Sequence, residues 1–358
     1  MALALRLAER GRCSTKPNPR VGCVLVRDGE IVGRGFHHHA GGPHAERVAL
    51  ADAGDKACGA TAYVTLEPCC HYGRTPPCTE GLIEAGVSRV VYADGDTNPQ
   101  VAGAGVRQLE AAGIRVTGGV MANEARRLNR GFHSRHQRGR PFITLKLGMS
   151  LDGKLALANG QSQWITGAEA RTDVQRLRAQ SCAVLCGIGT VLADDPRLTV
   201  RDSRFDLADR QPARVVLDGK LRFPASAAML REPGRTVVFT RNSDDAAQQA
   251  LRTVGAEIES QPAGDEALDL HAVCARLATL EFNEVLVESG PVLAGALLDA
   301  GLVDELVIYL APMLLGATAR SAFATRELLD LSDATRFHCL ETRSIGRDLR
   351  LTLTPALA

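Results

Sequence analysis

Residues 43–46 read Pro43-His44-Ala45-Glu46, and residues 68–78 read Pro68-Cys69-Cys70-His71-Tyr72-Gly73-Arg74-Thr75-Pro76-Pro77-Cys78. Cys69 lies twenty-five residues past His44, and eight residues separate it from Cys78. One imidazole and two thiolates fill three of the four tetrahedral positions that Zn²⁺ prefers and leave the last open to water. An open position marks a catalytic ion rather than a structural clip. Glu46 sits two residues from the histidine, close enough to move protons for that water without binding the metal. His-Ala-Glu alone is a common tripeptide; the ordered set is far more specific. Cys70 competes with Cys69 for the second position. Cys69 is preferred because it directly follows Pro68 at the end of the apolar run 62–66. Cys58 lies outside the pattern and reads as a small buried hydrophobe.

His-x-Glu followed by Pro-Cys and a further Cys is the zinc-deaminase signature. Its usual second half is P-C-x-x-C, so the insert here is long. Residues 68–78 resemble the P-C-x-H-x-G-[RK]-T-P-P-C motif of the riboflavin-biosynthesis deaminases. Pro17-Asn18-Pro19-Arg20-Val21-Gly22 resembles that family's P-N-P-x-V-G opening. In the second half, Lys146-Leu147-Gly148-Met149-Ser150-Leu151-Asp152-Gly153-Lys154, Ser162-Gln163-Trp164-Ile165-Thr166 and 194–201 resemble the reductase of the same pathway. The likeness is to a bifunctional family, diaminohydroxyphosphoribosylaminopyrimidine deaminase / 5-amino-6-(5-phosphoribosylamino)uracil reductase, and it covers nearly the whole chain. It implies a cytidine-deaminase-like α/β/α sandwich over 1–139 and a dihydrofolate-reductase-like α/β domain over 140–358.

Bulk properties agree with two enzyme domains. A chain of 358 residues fits two domains at about 150 each. The hydrophobic fraction of 45% and charged fraction of 23% are ordinary for globular protein. A net charge of +1 and 4% aromatic residues give no footprint for nucleic acid. No apolar run approaches a membrane span, and residues 1–6 lack a signal peptide's basic front. Ten cysteines, several placed as ligands, point to a reducing, cytoplasmic setting. The helix from residue 3 starts without a cap, which leaves open a start upstream of Met1.

In chain order the patterns predict a helix over 3–10 and strands over 21–26 and 31–35 joined at Asp28-Gly29, a strong hairpin signal. A helix over 44–53 puts His44 and Glu46 in its first turn. Strand 61–66, helix 79–85, strand 88–93, helix 101–112 and strand 114–118 follow. Residues 122–138, with five Arg and two His, read as a final helix and linker, with a nucleic-acid arm as the less favoured alternative. From Arg140-Pro141 a new unit begins. It has strands over 142–147, 183–186, 214–217, 236–240, 284–287 and 304–310 and helices over 168–179, 269–279 and 291–300. This alternation predicts a largely parallel sheet.

The resemblance assigns further roles. It places Asn18, His37, His71 and Arg74 on the pyrimidine and its ribose phosphate. Arg74 has an independent rationale, since its fork matches phosphate oxygens. It places NADPH against Gly148, Trp164, Thr190, Asp194 and the run Gly290, Pro291, Val292, Leu293, Ala294, Gly295 and Ala296. Substrate meets Ser162, Arg178, Leu198, Arg201 and Glu288. Trp164, the only tryptophan, also fits a core position. Lys146 is the candidate proton donor, with a structural ion pair as the alternative. Cys182 and Cys186 read as packing. The expected partners are a small phosphoribosyl pyrimidine and a second copy of the chain, as a dimer or tetramer. Two other readings stay open: a deaminase of another base with an inactive second domain, and a non-catalytic zinc-stabilised binding protein, which Glu46 disfavours.

Overall fold

The computed structural model describes residues 1–73, 75–98, 101–263 and 267–356. Two compact units are present, one of Met1–Arg140 with Asp206–Asp209, the other of Pro141–Phe205 with Arg210–Ala358.

The first unit runs α1 (Ala2–Arg10), β1 (Gly22–Arg27), β2 (Glu30–Phe36), α2 (Ala45–Ala53), β3 (Thr61–Leu66), α3 (Cys78–Glu84), β4 (Arg89–Asp94), α4 (Ala104–Ala111), β5 (Arg115–Thr117), α5 (Ala122–Leu128) and α6 (Arg130–Arg138). Its sheet has the order β2-β1-β3-β4-β5. β1 is antiparallel to β2 and β3, and β3, β4 and β5 run parallel. Asp28 and Gly29 take φ of 51° and 81°, the left-handed pair a tight hairpin needs. α2 buries Ala45, Ala49 and Ala53 in a core with Leu25, Val64, Leu82 and Val90. Its small side chains bring its backbone onto β2: a Cβ at Gly35 would meet Ala45 O at 2.3 Å. That contact fixes the helix whose first turn carries the reactive groups.

The polar segment 122–138 is two helices, not one. Asn129 takes φ −109° and ends α5. Its Oδ1 accepts the Arg20 N–H at 2.7 Å and its Nδ2 donates to Arg20 O at 2.9 Å. A side chain paired with distant backbone breaks the helix where periodicity alone would continue it. Cys58 is exposed. It follows a 3₁₀ turn at the surface, so the expectation of burial is corrected.

The second unit runs β6 (Phe142–Ser150), β7 (Lys154–Ala156), α7 (Ala168–Gln180), β8 (Ala183–Gly187), α8 (Ile188–Asp194), β9 (Ala213–Leu217), β10 (Thr236–Thr240), α9 (Asp245–Thr253), β11 (Ala256–Ser260), α10 (Leu270–Thr279), β12 (Glu284–Glu288), α11 (Pro291–Asp299), β13 (Glu305–Ala311), β14 (Arg320–Ser321), β15 (Phe337–Ile345) and β16 (Asp348–Pro355). The main sheet has the order β11-β10-β9-β8-β12-β6-β13-β16-β15. It is parallel from β11 to β13, and the β15–β16 hairpin closes it antiparallel. The central strands are apolar on both faces, as a covered parallel sheet requires. Leu185, Val215 and Val237 join one core, and Val184, Val216 and Val238 the other. Asp244 and Asp269 cap α9 and α10, each accepting two backbone N–H groups. The sequence reading missed α9, β11 and the terminal hairpin. β15 is exposed along nearly its whole length, so it carries little of the alternation that marks a half-buried strand.

Candidate functional site

In the first unit, the end of β3 and the first turns of α2 and α3 converge. His44 caps α2 and Cys78 opens α3. The ligand atoms of His44, Cys69 and Cys78 all lie within 4.8 Å of one another. His44 Nδ1 stands 3.2 Å from Cys78 Sγ and 3.5 Å from Cys69 Sγ. A tetrahedral zinc with ordinary bond lengths sets its nitrogen and sulfur ligands about 3.6 Å apart, so the triangle already fits the ion. Cys70 is not part of this cluster.

Electrostatics point the same way. The Cys78 thiol bonded to Cys69 draws the Cys69 pKa down, and the same bond pushes Cys78 well up. The pair thus shares a proton that a divalent cation would displace. His44 Nε2, on the far side of the ring, faces Thr75 Oγ1 at 3.1 Å. With Nδ1 as ligand, Nε2–H donates to Thr75 and fixes the ring. Spacing alone gave no reason to single out Thr75. Glu46 is 3% exposed, and burial pushes its carboxyl up, with the Cys69 charge adding.

Around the cluster, His37 Nδ1–H donates to Pro43 O at 3.0 Å, and His37 Nε2 accepts from Asn18 Nδ2 at 3.0 Å. His37 is 2% exposed, and burial lowers its pKa, in keeping with a neutral ring. Both its nitrogens are engaged, and the ring holds the Asn18 amide in place beside the cluster. His71 has a buried Nδ1 with no partner among the described residues, a group suited to a ligand. Arg74 lies outside the described residues. Asp96, which the sequence reading did not single out, is pushed up to about 7 by burial, with the Glu67 and Cys69 charges adding.

In the second unit a cavity of about 1430 Å³ opens at the carboxyl ends of the parallel strands. Lys146, Gly148, Ser162, Trp164, Arg178, Thr190, Asp194, Leu198, Arg201, Glu288, Gly290, Pro291, Val292, Leu293 and Ala296 all line it. Ala294 and Gly295 do not. Ala294 is fully buried in the core, and a Cβ at Gly295 would meet Ala324 O at 2.1 Å. The side chains of a helix point all round its axis, so the run presents Gly290–Leu293 and Ala296 to the cavity and packs Ala294 and Gly295 on the other side. Trp164 is 63% exposed, with the Arg171 guanidinium 4.3 Å over its ring. Its place is the cavity wall, not the core.

Glu288 is the electrostatic centre. Arg178 Nε donates to its Oε1 at 2.6 Å and Arg178 Nη2 to its Oε2 at 3.0 Å, while Lys146 Nζ lies 3.3 Å from Oε2. Burial pushes this carboxyl up, but Arg178 and then Lys146 outweigh it and hold it at about 2. Leu198 takes φ +53° on the wall, a strained backbone of the kind that gathers at ligand sites. Gly290 and Pro291 open α11 toward the cavity, where a helix N-terminus suits phosphate. Cys186 is buried with its thiol pushed up to about 12 by burial, as packing requires.

Comparison with known proteins matches both halves of the chain to known families. Residues 1–94 match the cytidine and deoxycytidylate deaminase zinc-binding region. Residues 141–351 match the RibD C-terminal domain. The riboflavin biosynthesis protein RibD of Escherichia coli is 51% identical, over 99% of this chain and 98% of its own length. That of Haemophilus influenzae is 48% identical, over 99% and 96%. Among solved structures, Acinetobacter baumannii RibD gives a TM-score of 0.92 at 44% identity, covering 99% of this chain and 97% of its own. A diaminohydroxyphosphoribosylaminopyrimidine deaminase / 5-amino-6-(5-phosphoribosylamino)uracil reductase from Thermotoga maritima gives 0.86 at 35%, covering 99% and 97%.

Proposed function

The chain belongs to the bifunctional deaminase/reductase family of riboflavin biosynthesis, and on that premise we propose how its own residues divide the two reactions. It is a zinc-dependent deaminase and an NADPH-dependent reductase. It removes ammonia from C2 of 2,5-diamino-6-(5-phosphoribosylamino)pyrimidin-4-one, then reduces the ribosyl chain to give 5-amino-6-(5-phosphoribitylamino)uracil. We place the deaminase at 1–139 and the reductase at 140–358, supported by the division of the chain into compact units near residue 140.

In the deaminase, His44, Cys69 and Cys78 hold the zinc, which supplies the Lewis acidity that makes water a nucleophile near neutral pH. Glu46 takes the water's proton as the oxygen adds to C2. The carboxyl passes that proton to the ring nitrogen, then takes the second one from the hydroxyl now on C2 and gives it to the departing amine, acting alternately as base and acid. The C–N bond breaks, ammonia leaves and a carbonyl remains. Burial of Glu46 suits both tasks, because a raised pKa favours a carboxyl that must give the proton back. Asn18, turned by His37, reads the pyrimidine edge, and His71 offers its unpartnered Nδ1. Arg74 takes the ribose phosphate. The observation that carries this reading is the three-ligand triangle beside a buried carboxyl that is not one of its corners.

In the reductase, bound NADPH would supply the hydride that C1′ of the opened ribose accepts. Gly148, Trp164, Thr190, Asp194 and the cavity face of α11 seat the cofactor; Ser162, Leu198 and Arg201 seat the substrate. Glu288 bonds both Lys146 and Arg178 and holds their side chains in place. Lys146 then gives up the proton that the reduction consumes, while Arg178 positions Glu288.

Two further readings concern the setting. Among the described residues no helix is long and apolar enough to cross a membrane. All ten cysteines are free, which supports a reducing cytoplasm. A homo-oligomer is supported by β15, an edge strand with one row of unpaired backbone groups and Leu340 61% exposed. Glu46→Gln tests the division of labour. It should keep stoichiometric zinc and NADPH binding while ammonia release falls at least about a thousandfold, the scale of acid–base catalysis. Unchanged ammonia release defeats the assignment.

A further inference from the structure

The stretch of cavity wall that carries Leu198 and Arg201 has no strand beside it. Residues 196–202 belong to no helix and no strand. Yet Leu198, Thr199 and Val200 are only 3%, 2% and 6% exposed, and buried backbone groups need hydrogen-bond partners. Side chains supply them. Gln211 Oε1 accepts the Val200 N–H at 2.9 Å, and Gln211 Nε2 donates to Val200 O at 2.9 Å. Gln175 Oε1 accepts the Arg201 N–H at 2.8 Å, and Arg178 Nη1 donates to Thr199 O at 3.0 Å.

Two features show that this conformation is imposed on the segment. Leu198 takes φ +53°, a region that side-chain-bearing residues seldom adopt. Thr199 Oγ1 is buried with no partner among the described residues, so the segment holds its place at a polar cost. Gln211 makes the largest hold against that tendency. Its amide meets both polar atoms of one residue, as a neighbouring strand would. It follows Val200 by eleven residues, so the pair closes the base of the loop between them. It also stands two residues before β9, which lies between β10 and β8 and is buried along its whole length. The wall is thereby tied to the interior of the sheet. Gln175 and Arg178 line the cavity, whereas Gln211 does not. Whatever Gln211 does for a ligand, it does through the segment it holds.

Resting on the reading of this unit as a reductase whose substrate meets Leu198 and Arg201, we propose that Gln211 is a positioning residue for that substrate. Its amide stands in for the missing strand and keeps residues 198–201 where Leu198 and Arg201 face the phosphoribosyl pyrimidine. The cofactor wall is anchored elsewhere. Asp348 Oδ2 accepts the Gly167 N–H at 2.6 Å, three residues past Trp164, and Asp195 Oδ1 accepts the Ala228 N–H at 2.8 Å where α8 ends. Loss of the Gln211 amide therefore falls on the substrate and spares NADPH.

Steady-state reduction of 5-amino-6-(5-phosphoribosylamino)uracil by NADPH tests this with the full-length protein and its Gln211→Met and Gln211→Glu variants. Methionine keeps nearly the same shape and removes both bonds. Gln211→Met should raise the KM for the uracil about tenfold, with kcat changed less than about threefold and the KM for NADPH less than about twofold. Glutamate keeps the acceptor for the Val200 N–H and loses the donor for Val200 O. Gln211→Glu should raise the same KM by at least about threefold. Circular dichroism checks that each variant is folded; if Gln211→Met is not, Gln211→Glu carries the test by the same comparison. A KM for the uracil within about twofold of the parent's overturns the proposal, as does an equal rise in both KM values or a loss confined to kcat. A parent that does not reduce this uracil with NADPH refutes the reductase reading itself, and this inference falls with it.

Discussion

Replacing Glu288 by glutamine removes the one carboxylate that Arg178 and Lys146 share. In the native cluster burial raises its pKa, yet Arg178 and Lys146 hold it at about 2, against an ordinary 4.5. That depression corresponds to about 3 kcal/mol of preference for the ionised form in the folded state. Because the folded value lies below the unfolded one, the contribution is complete above about pH 4.5. It is lost as pH falls from there toward about 2. Glu288→Gln also strands two cations whose side chains are 18% and 12% exposed, and breaking a buried pair costs roughly 3–5 kcal/mol. The expected result is a loss of about 3 kcal/mol at pH 7, with a flatter stability profile than wild type between about pH 4.5 and 2. Urea unfolding followed by the fluorescence of Trp164 measures it, since the chain's only tryptophan lies in the second unit and reports that unit. Adding Lys146→Met should recover part of the loss by removing a stranded charge. A Glu288→Gln protein within about 1 kcal/mol of wild type, with the same pH profile, would refute the reasoning. The cluster would then be worth no more than a surface bridge.

Thr75→Val removes the partner of His44 Nε2 and should weaken zinc binding about 10- to 100-fold with all three ligands intact; competition with a chelator measures it. Gly295→Ala should destabilise the second unit by about 1–3 kcal/mol, because its Cβ would stand 2.1 Å from Ala324 O. By contrast Val292→Ala, at an exposed cavity position, should weaken NADP⁺ binding without moving the unfolding midpoint. If the two variants behave alike in both assays, the assignment of α11's faces is wrong.

The zinc triangle was legible because its chemistry is written in residue type and order: a histidine, a proline-led cysteine and a second cysteine behind two prolines. The parallel strands were legible because burial on both faces leaves short apolar runs such as Val215-Val216-Leu217 and Val237-Val238-Phe239. What escaped depends on distant partners. The helix break at Asn129 is set by Arg20, more than a hundred residues away. The bonds from His37 to Pro43 and Asn18 are likewise set by residues brought together only in the fold. Which members of the run 290–296 face the cavity follows only from the helix, whose periodicity packs Ala294 and Gly295 on its other side. Thr75, Arg171 and Gln211 gain meaning only from what the fold sets beside them. The β15 strand, exposed along nearly its whole length, has no buried face to impose a pattern.

The central claim is an ion held by one imidazole and two thiolates, with a free corner and with Cys70 left out. X-ray absorption at the zinc edge of the full-length protein tests it most directly. The account predicts one zinc per chain with two sulfurs at about 2.3 Å and two lighter atoms, one histidine nitrogen and one water oxygen, at about 2.0 Å. A shell of three sulfurs, a fourth protein ligand in place of water, or folded protein that takes up no stoichiometric zinc would contradict it.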